Sequence, residues 1–305
     1  NITAKPARPP FSFRGFFKSE IFRSIAYIKE IIMKFYHNSV VYITGGSSGI
    51  GYEIAKRILS KGAIVVLFAR NREKLAAAQR ELACDQPDLL KRIGTIPLDV
   101  SDPAGTLKAV TLAAGTYGSP SIVINCAGIA YSCSFESTGY ELFRSMLETN
   151  VLGTRNMNYA AVPLMKQKGG TIVNVSSLAG LIGTIGYSAY GASKFAVTGL
   201  SEIMRIELKK EGIHVKVVCP PEVDTPMVRD ESKTIDPIAK RFKVLGGVLT
   251  VEEAAEYIVR KIPGRSFMII PGRTARISYV LSSYFPGIFR GSMDILFTLF
   301  SKKTA

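Results

Sequence analysis

Residues 40–59, VVYITGGSSGIGYEIAKRIL, pass from a β-branched run through a glycine-rich turn into an amphipathic helix, and the fold follows from that junction. VVYIT (40–44) is almost wholly apolar, as a strand must be when helices cover both faces of its sheet. Ile50, Ile54, Ala55, Ile58 and Leu59 share one helical face, and Lys61-Gly62 adds a cationic last turn and a stop. Between strand and helix, Thr44 to Gly51 reads TGGSSGIG. Glycines there permit a tight turn and close backbone approach to a pyrophosphate, while the helix N-terminus offers N–H donors and its positive dipole end. A bare glycine pattern is a weak signal. Placed between a strand and a helix at the start of a βαβ unit, it favours a nucleotide over a purely structural turn.

The same alternation continues outward. AIVVLFA (63–69), IGTIPL (93–98), SIVIN (121–125), TIVNV (171–175), HVKVV (214–218) and FMII (267–270) read as further buried strands separated by helical stretches. No repeat or linker interrupts them. The expectation is one doubly wound Rossmann-like α/β domain over residues 39–272, with a parallel sheet of about seven strands flanked by helices on both faces. Residues 1–38 read as a basic amphipathic extension, in which Ile21, Ile25, Ile28, Ile32 and Phe35 form an apolar stripe opposite Arg23, Glu30 and Lys34. Residues 273–305 read as a hydrophobic basic tail. Its segment ISYVLSSYFPGIF (277–289) is uncharged but contains Pro286 and stops short of the roughly 20 residues a spanning helix requires, so neither end is predicted to cross a bilayer.

Charge is concentrated at the two ends. Residues 1–38 carry seven Lys/Arg against two Glu, and residues 260–305 carry eight against one Asp, which accounts for most of the net +15. A positive field on two terminal segments suits an anionic surface such as a membrane or a nucleic acid. The nucleic-acid reading lacks a recognition helix or an aromatic strand platform, so no nucleic-acid partner is expected. The four cysteines form neither a CxxC pair nor a metal-binding spacing and read as buried thiols in a reducing compartment. With His37 and His214 the only histidines, a Ser/His/Asp hydrolase is poorly supplied, and no metal site is expected.

The residues with the strongest chemical signal are Ser177, Tyr190 thirteen positions later, and Lys194 four beyond that, within YGASK. A spacing of four puts Tyr190 and Lys194 on one helical face, where the ammonium stabilises phenolate and brings the phenol toward the operating range of a general acid. The end of the second strand bears on cofactor choice. An acid there would bind a ribose 2′-hydroxyl, but this chain has Arg70, with Lys74 a turn later, which suits the 2′-phosphate of NADPH.

The TGxxxGxG spacing, Asp99-Val100, Asn125-Cys126-Ala127-Gly128 and the Ser177, Tyr190, Lys194 set follow one another as in the short-chain dehydrogenase/reductase family, which residues 40 to 270 resemble. The resemblance implies that Tyr190 donates the proton to a substrate carbonyl oxygen, that Ser177 polarises that oxygen, and that Lys194 also holds the nicotinamide ribose. Asn150, in ETNVLG, matches the family asparagine that supports a proton relay through Lys194. Cofactor contacts are implied at Gly45, Ser47, Ser48, Gly49, Ile50 and Gly51 in the loop. Arg70 and Lys74, Asp99 and Val100 at the adenine, and Asn125, Ala127 and Gly128 extend the set. Val223 and Thr225 fall where relatives contact the nicotinamide carboxamide, after a Pro220-Pro221 pair where many relatives have Pro-Gly.

PPxxDTP at 220–226, GGSSGIG, ARNxxKL at 69–75 and the apolar basic tail are similar to the 3-ketodihydrosphingosine reductases of sphingolipid synthesis. That likeness implies an NADPH-dependent reductase of a lipophilic ketone. Another lipophilic carbonyl, such as a steroid, retinoid or 3-ketoacyl chain, is the alternative within the class, and a silent NADPH-binding scaffold is the alternative outside it. A homo-oligomer is expected, cytoplasmic, with its terminal segments either seated peripherally on a membrane or packed on the protein itself.

Overall fold

The computed structural model describes residues 26–84, 86–231, 235 and 237–302. A helix, α1 (residues 26–36), leads into β1 (Val40–Thr44), α2 (Gly49–Leu59), β2 (Ile64–Ala69), α3 (Arg72–Leu82), β3 (Ile93–Pro97) and α4 (Pro103–Tyr117). Then come β4 (Ile122–Asn125), α5 (Tyr140–Met146), a π-helical turn (Leu147–Leu152), α6 (Gly153–Met165), β5 (Gly170–Val175), α7 (Ser188–Glu207) and β6 (Ile213–Val218). The chain finishes with β7 (Glu222–Val223), α8 (Pro226–Glu231), α9 (Pro237–Val244), β8 (Val248–Leu249), α10 (Val251–Lys261), β9 (Met268–Ile269), α11 (Arg273–Tyr284) and α12 (Pro286–Lys302).

Seven strands form one parallel sheet in the order β3-β2-β1-β4-β5-β6-β9, so the expected doubly wound architecture is present. β7 and β8 make a separate parallel pair that the apolar periodicity did not announce. Because β1 lies between β2 and β4, successive connections leave it on opposite sides, and a crevice opens beyond its carboxyl end. The sheet sorts its side chains by parity. Val41 and Ile43 join Tyr36, Ile54 and Ile58 in a core beneath α1, α2 and α10, while Tyr42 packs with Phe68, Val123 and Met157 beneath α4 and α6.

One polar seam crosses this apolar sheet. Asn125 of β4 pairs in register with Asn174 of β5, and its Nδ2 donates to Asn174 Oδ1 at 2.8 Å and to Asn158 Oδ1 of α6 at 2.7 Å. Asn174 Nδ2 in turn donates to Ser201 Oγ of α7 at 2.9 Å. All four side chains are buried.

The terminal segments differ from their simplest reading. In α1, Ile32 and Tyr36 are buried and Tyr36 Oη donates to the Val259 carbonyl of α10 at 2.9 Å, whereas Ile28, Ile31 and Met33 are exposed. Ile21 and Ile25 of the expected stripe, and Arg23 opposite it, lie outside the described residues. At the other end Pro286 opens α12, a position where proline's missing N–H and fixed φ are tolerated, and α11 and α12 form a helical pair. Phe300 of α12 meets Phe242 of α9 edge-on at 5.4 Å, and Arg241 Nη1 donates to the Phe300 carbonyl at 3.3 Å. Among the described residues no helix is long and apolar enough to cross a membrane.

Candidate active site

A single cavity of about 620 Å³ runs from the glycine loop, past Tyr190 and Lys194, to the inner faces of α11 and α12. Of the residues singled out in the sequence, all but Gly51, Asn125 and Asn150 line it. Gly51 and Asn150 act from behind the wall. Asn125 turns away from it, its amide committed to the polar seam of the sheet.

The glycine loop is shaped by backbone approach. Gly45 has φ +66°, and a Cβ on it would lie 2.9 Å from the Ala127 backbone; one on Gly51 would lie 2.5 Å from the Gly45 carbonyl. Thr44 Oγ1 accepts from the amides of Cys126 and Ala127, both at 3.1 Å, and so locks the loop after β1 to the loop after β4. No acidic residue occupies the first turn of α2, which leaves its N-terminal N–H groups and dipole directed at the cavity. This is a cradle that a dinucleotide's phosphates fit and that side chains would fill.

Farther along the crevice, Arg70 and Lys74 are exposed on the cavity rim, and Asn71 caps α3 by accepting from the Lys74 amide at 2.8 Å. Burial works against the Asp99 carboxylate, yet the Ser101 hydroxyl at 2.7 Å, the Ser101 amide at 3.0 Å and the nearby Arg70 outweigh it and hold Asp99 below the usual range. Val100 is buried, and its carbonyl accepts from Asn156 Nδ2 at 3.0 Å.

Tyr190 and Lys194 project from α7 on one face, with Lys194 Nζ 5.6 Å from the Tyr190 ring centroid. Lys194 is 6% exposed and donates to the Val175 carbonyl at 3.0 Å. Asn150 lies within the π-helical turn, a distortion common at functional sites. Its Oδ1 accepts from the Ile129 amide at 2.8 Å, and its Nδ2 donates to the Ile129 carbonyl at 3.0 Å and to Ser193 Oγ at 2.9 Å. The point where a Gly128 Cβ would sit is 3.0 Å from Asn150 Oδ1 and 3.5 Å from Lys194 Nζ, so a side chain there would push into the space between them.

The electrostatics amend one expectation. Burial pushes the Tyr190 phenol up to about 12, opposed by Ser177 and reinforced by the Glu231 carboxylate, rather than Lys194 drawing it toward neutrality. Burial also pulls the Lys194 ammonium down to about 8. Two buried neighbours each lose solvation of their charged forms, so in the protein alone the phenol keeps its proton and the lysine holds its own less firmly. The cysteine expectation also needs correction. Cys84 is exposed, whereas burial raises the Cys126 and Cys219 thiols to about 11 and about 12.

Glycine cradle, paired rim cations and a Ser177/Tyr190/Lys194 set therefore share one cavity, and a family model described as short chain dehydrogenase matches residues 39–236. The chain belongs to the short-chain dehydrogenase family. As a member it is an oxidoreductase, similar to the 3-dehydrosphinganine reductase of Danio rerio, with 36% identity over 72% of this chain and 67% of the relative. It is likewise 34% identical to the 3-ketodihydrosphingosine reductase of Mus musculus over the same shares of the two chains. Among solved structures, levodione reductase superposes with a TM-score of 0.72 at 27% identity, covering 79% of this chain and 98% of that one.

Several residues of this family member's cavity escaped the sequence reading. Tyr187, Glu222, Glu231 and Lys243 all line it. Tyr187 could have been found at position −3 from Tyr190, on the same helical flank, whereas the other three converge only through the folded β7–α9 segment.

Proposed function

We propose that the chain is an NADPH-dependent reductase of a lipophilic ketone, with 3-ketodihydrosphingosine, reduced to dihydrosphingosine, as the favoured substrate. The observation that carries this reading is the continuity of the cavity, which joins the glycine cradle to Tyr190 and then to an apolar chamber lined by Leu178, Ile182, Phe242, Leu281, Phe289 and Leu296. A long alkyl chain fits such a chamber. The identities to reductases of that name support the choice among lipophilic ketones.

In this reading NADPH, held along the glycine cradle, would supply the hydride for the carbonyl carbon. Ser177 donates a hydrogen bond to the carbonyl oxygen and Tyr190 gives that oxygen its proton, which its high pKa keeps in place until negative charge develops on the oxygen. Lys194 holds the nicotinamide ribose and, when protonated, favours the tyrosinate left behind. Asn150, fixed by Ile129 and Ser193, holds the space through which Lys194 is resupplied with a proton. Arg70 and Lys74, on the cavity rim, would take the 2′-phosphate; Asp99 and Val100 would border the adenine, and Val223 and Thr225 the carboxamide.

The outer faces of α11 and α12 support peripheral seating on a membrane. Ile277 and Tyr284 of α11, Phe285 at the joint, and Ile288 and Ile295 of α12 are all exposed, interspersed with Arg273, Arg276 and Arg290, while adjoining flanks of the same helices line the cavity. Apolar and basic signals together are what peripheral anchoring requires. Oxidation of NADPH across a panel of carbonyl compounds tests the reading as a whole. Turnover of 3-ketodihydrosphingosine above that of steroid, retinoid and 3-ketoacyl ketones is expected, and no oxidation with any of them removes the proposal.

A further inference from the structure

The substrate end of the cavity contains charge for which ketone reduction alone has no use. Glu222 stands on β7, Glu231 ends α8 and Lys243 projects from α9, with side chains only 17%, 2% and 14% exposed. Lys243 Nζ is 3.0 Å from Glu231 Oε2 and 3.6 Å from Glu222 Oε1, so one ammonium is shared by two carboxylates. The second oxygen of Glu222, Oε2, is buried and makes no hydrogen bond. Beside this group stands Tyr187, 5% exposed, whose hydroxyl neighbours Glu231 and Ser132 yet reaches hydrogen-bond geometry with neither.

These polar atoms border the reacting centre. The Tyr187 ring packs edge-on against that of Tyr190 with centroids 5.8 Å apart, Lys243 Nζ lies 5.9 Å from the Tyr187 ring centroid, and the Glu231 charge is felt at Tyr190 itself. A buried acceptor left without a donor is costly, and a buried carboxylate more so. The ligand that repairs this arrangement brings N–H donors and positive charge together. A hydroxyl supplies a donor without charge. A divalent ion is poorly served, because no group of three or more His, Cys, Asp or Glu that could hold a metal occurs among the described residues.

We infer that Glu222, with Tyr187 beside it and the Glu231–Lys243 pair behind it, receives a primary ammonium group carried next to the substrate's ketone. The inference rests on the reductase reading above and narrows its substrate class to lipophilic amino ketones. The ammonium donates to Glu222 Oε2 and to the Tyr187 oxygen, which orients the adjacent carbonyl toward Ser177 and Tyr190, while the alkyl chain runs on between Phe242 and α12. Glu222 is thus a specificity residue, and Lys243 keeps the two carboxylates together before substrate arrives.

The test compares two ketones on the full chain with NADPH: 3-ketodihydrosphingosine, and the same hydroxy ketone with its amino group replaced by hydrogen. Wild type is expected to favour the amino ketone in kcat/KM by about 10- to 100-fold, chiefly through KM, the range for one charge-assisted hydrogen bond. Glu222→Gln is expected to remove most of that preference, costing the amino ketone far more than its analogue. Equal use of both ketones by wild type overturns the ammonium site while leaving the reductase reading intact, and so does a Glu222→Gln variant that slows both ketones alike. Turnover of neither ketone sinks the reductase reading and the inference with it. A second measurement needs no variant: a long-chain alkylamine should compete with the ketone at about tenfold lower concentration than the alcohol of equal length, and equal inhibition overturns the site.

Discussion

At the nucleotide end of the cavity the walls are largely backbone, closed so tightly around Gly45 and Gly51 that a single added Cβ would collide with a neighbouring main chain. At the substrate end they are side chains from α8 and α9, which come after β6 in the chain, and from α11 and α12, which come after the two-residue strand β9. The first construction suits one ligand shape, because backbone cannot give way without disturbing the strands that carry it. The second can change its contents by substitution while the sheet stays as it is. Dinucleotide binding and substrate choice are therefore written in different materials, which is why relatives in one family can share the first and diverge in the second.

That contrast can be broken at its boundary by Tyr190→Phe, which removes the proton donor while keeping the ring. A fall in kcat/KM of about 10²- to 10⁴-fold is expected, followed as NADPH oxidation with 3-ketodihydrosphingosine; retention of activity within tenfold of wild type would remove Tyr190 as the acid. Next in size, Gly45→Ala places a Cβ against the Ala127 backbone at a φ of +66° and should weaken NADPH binding by about 10- to 100-fold in a fluorescence titration. If the loop absorbs it without loss, the backbone account of the cradle is wrong.

Arg70→Ala sharpens the comparison at the rim. The ratio of NADPH to NADH efficiency should fall about tenfold, almost entirely through weaker use of NADPH, and equal use of both cofactors by wild type defeats the 2′-phosphate assignment. The lowered Lys194 predicts the pH profile. Its charged form is present below about 8 and is lost as pH rises through that value, so reduction should be level below about pH 8 and decline above it, approaching tenfold per pH unit. A rate that stays level to pH 10 would take Lys194 out of the proton path. The smallest effect belongs to the outer face: Tyr284→Ser with Ile288→Ser should lower the fraction sedimenting with anionic vesicles by about threefold, and an unchanged fraction rejects membrane seating.

The main sheet was legible because most of its strands are short β-branched runs, the composition that burial on both faces favours. The catalytic set was legible because a helical spacing of four needs no knowledge of the rest of the fold. Other features depend on context that spacing does not carry. Tyr36, with its polar tip, does not register as part of an apolar stripe, yet it is the residue that seats α1, and the expected stripe member Ile28 is left in solvent. Asn125 sits in a motif associated with the nucleotide but spends its amide within the sheet. Pro286 reads as an interruption in sequence and is the first residue of a helix in space. Glu222, Glu231 and Lys243 are ordinary surface types until the β7–α9 segment folds them inward.

The amide seam through Asn125, Asn158, Asn174 and Ser201 also works as an alignment key during assembly. Sliding β4 by a single residue along β5 would aim the Asn125 side chain at the opposite face of the sheet and leave its former partners stranded among apolar groups, at about 1–3 kcal/mol for each orphaned amide. Hydrophobic strands of such similar composition discriminate poorly between neighbouring alignments, so a few hydrogen-bonding groups in the interior let the chain reject the wrong ones.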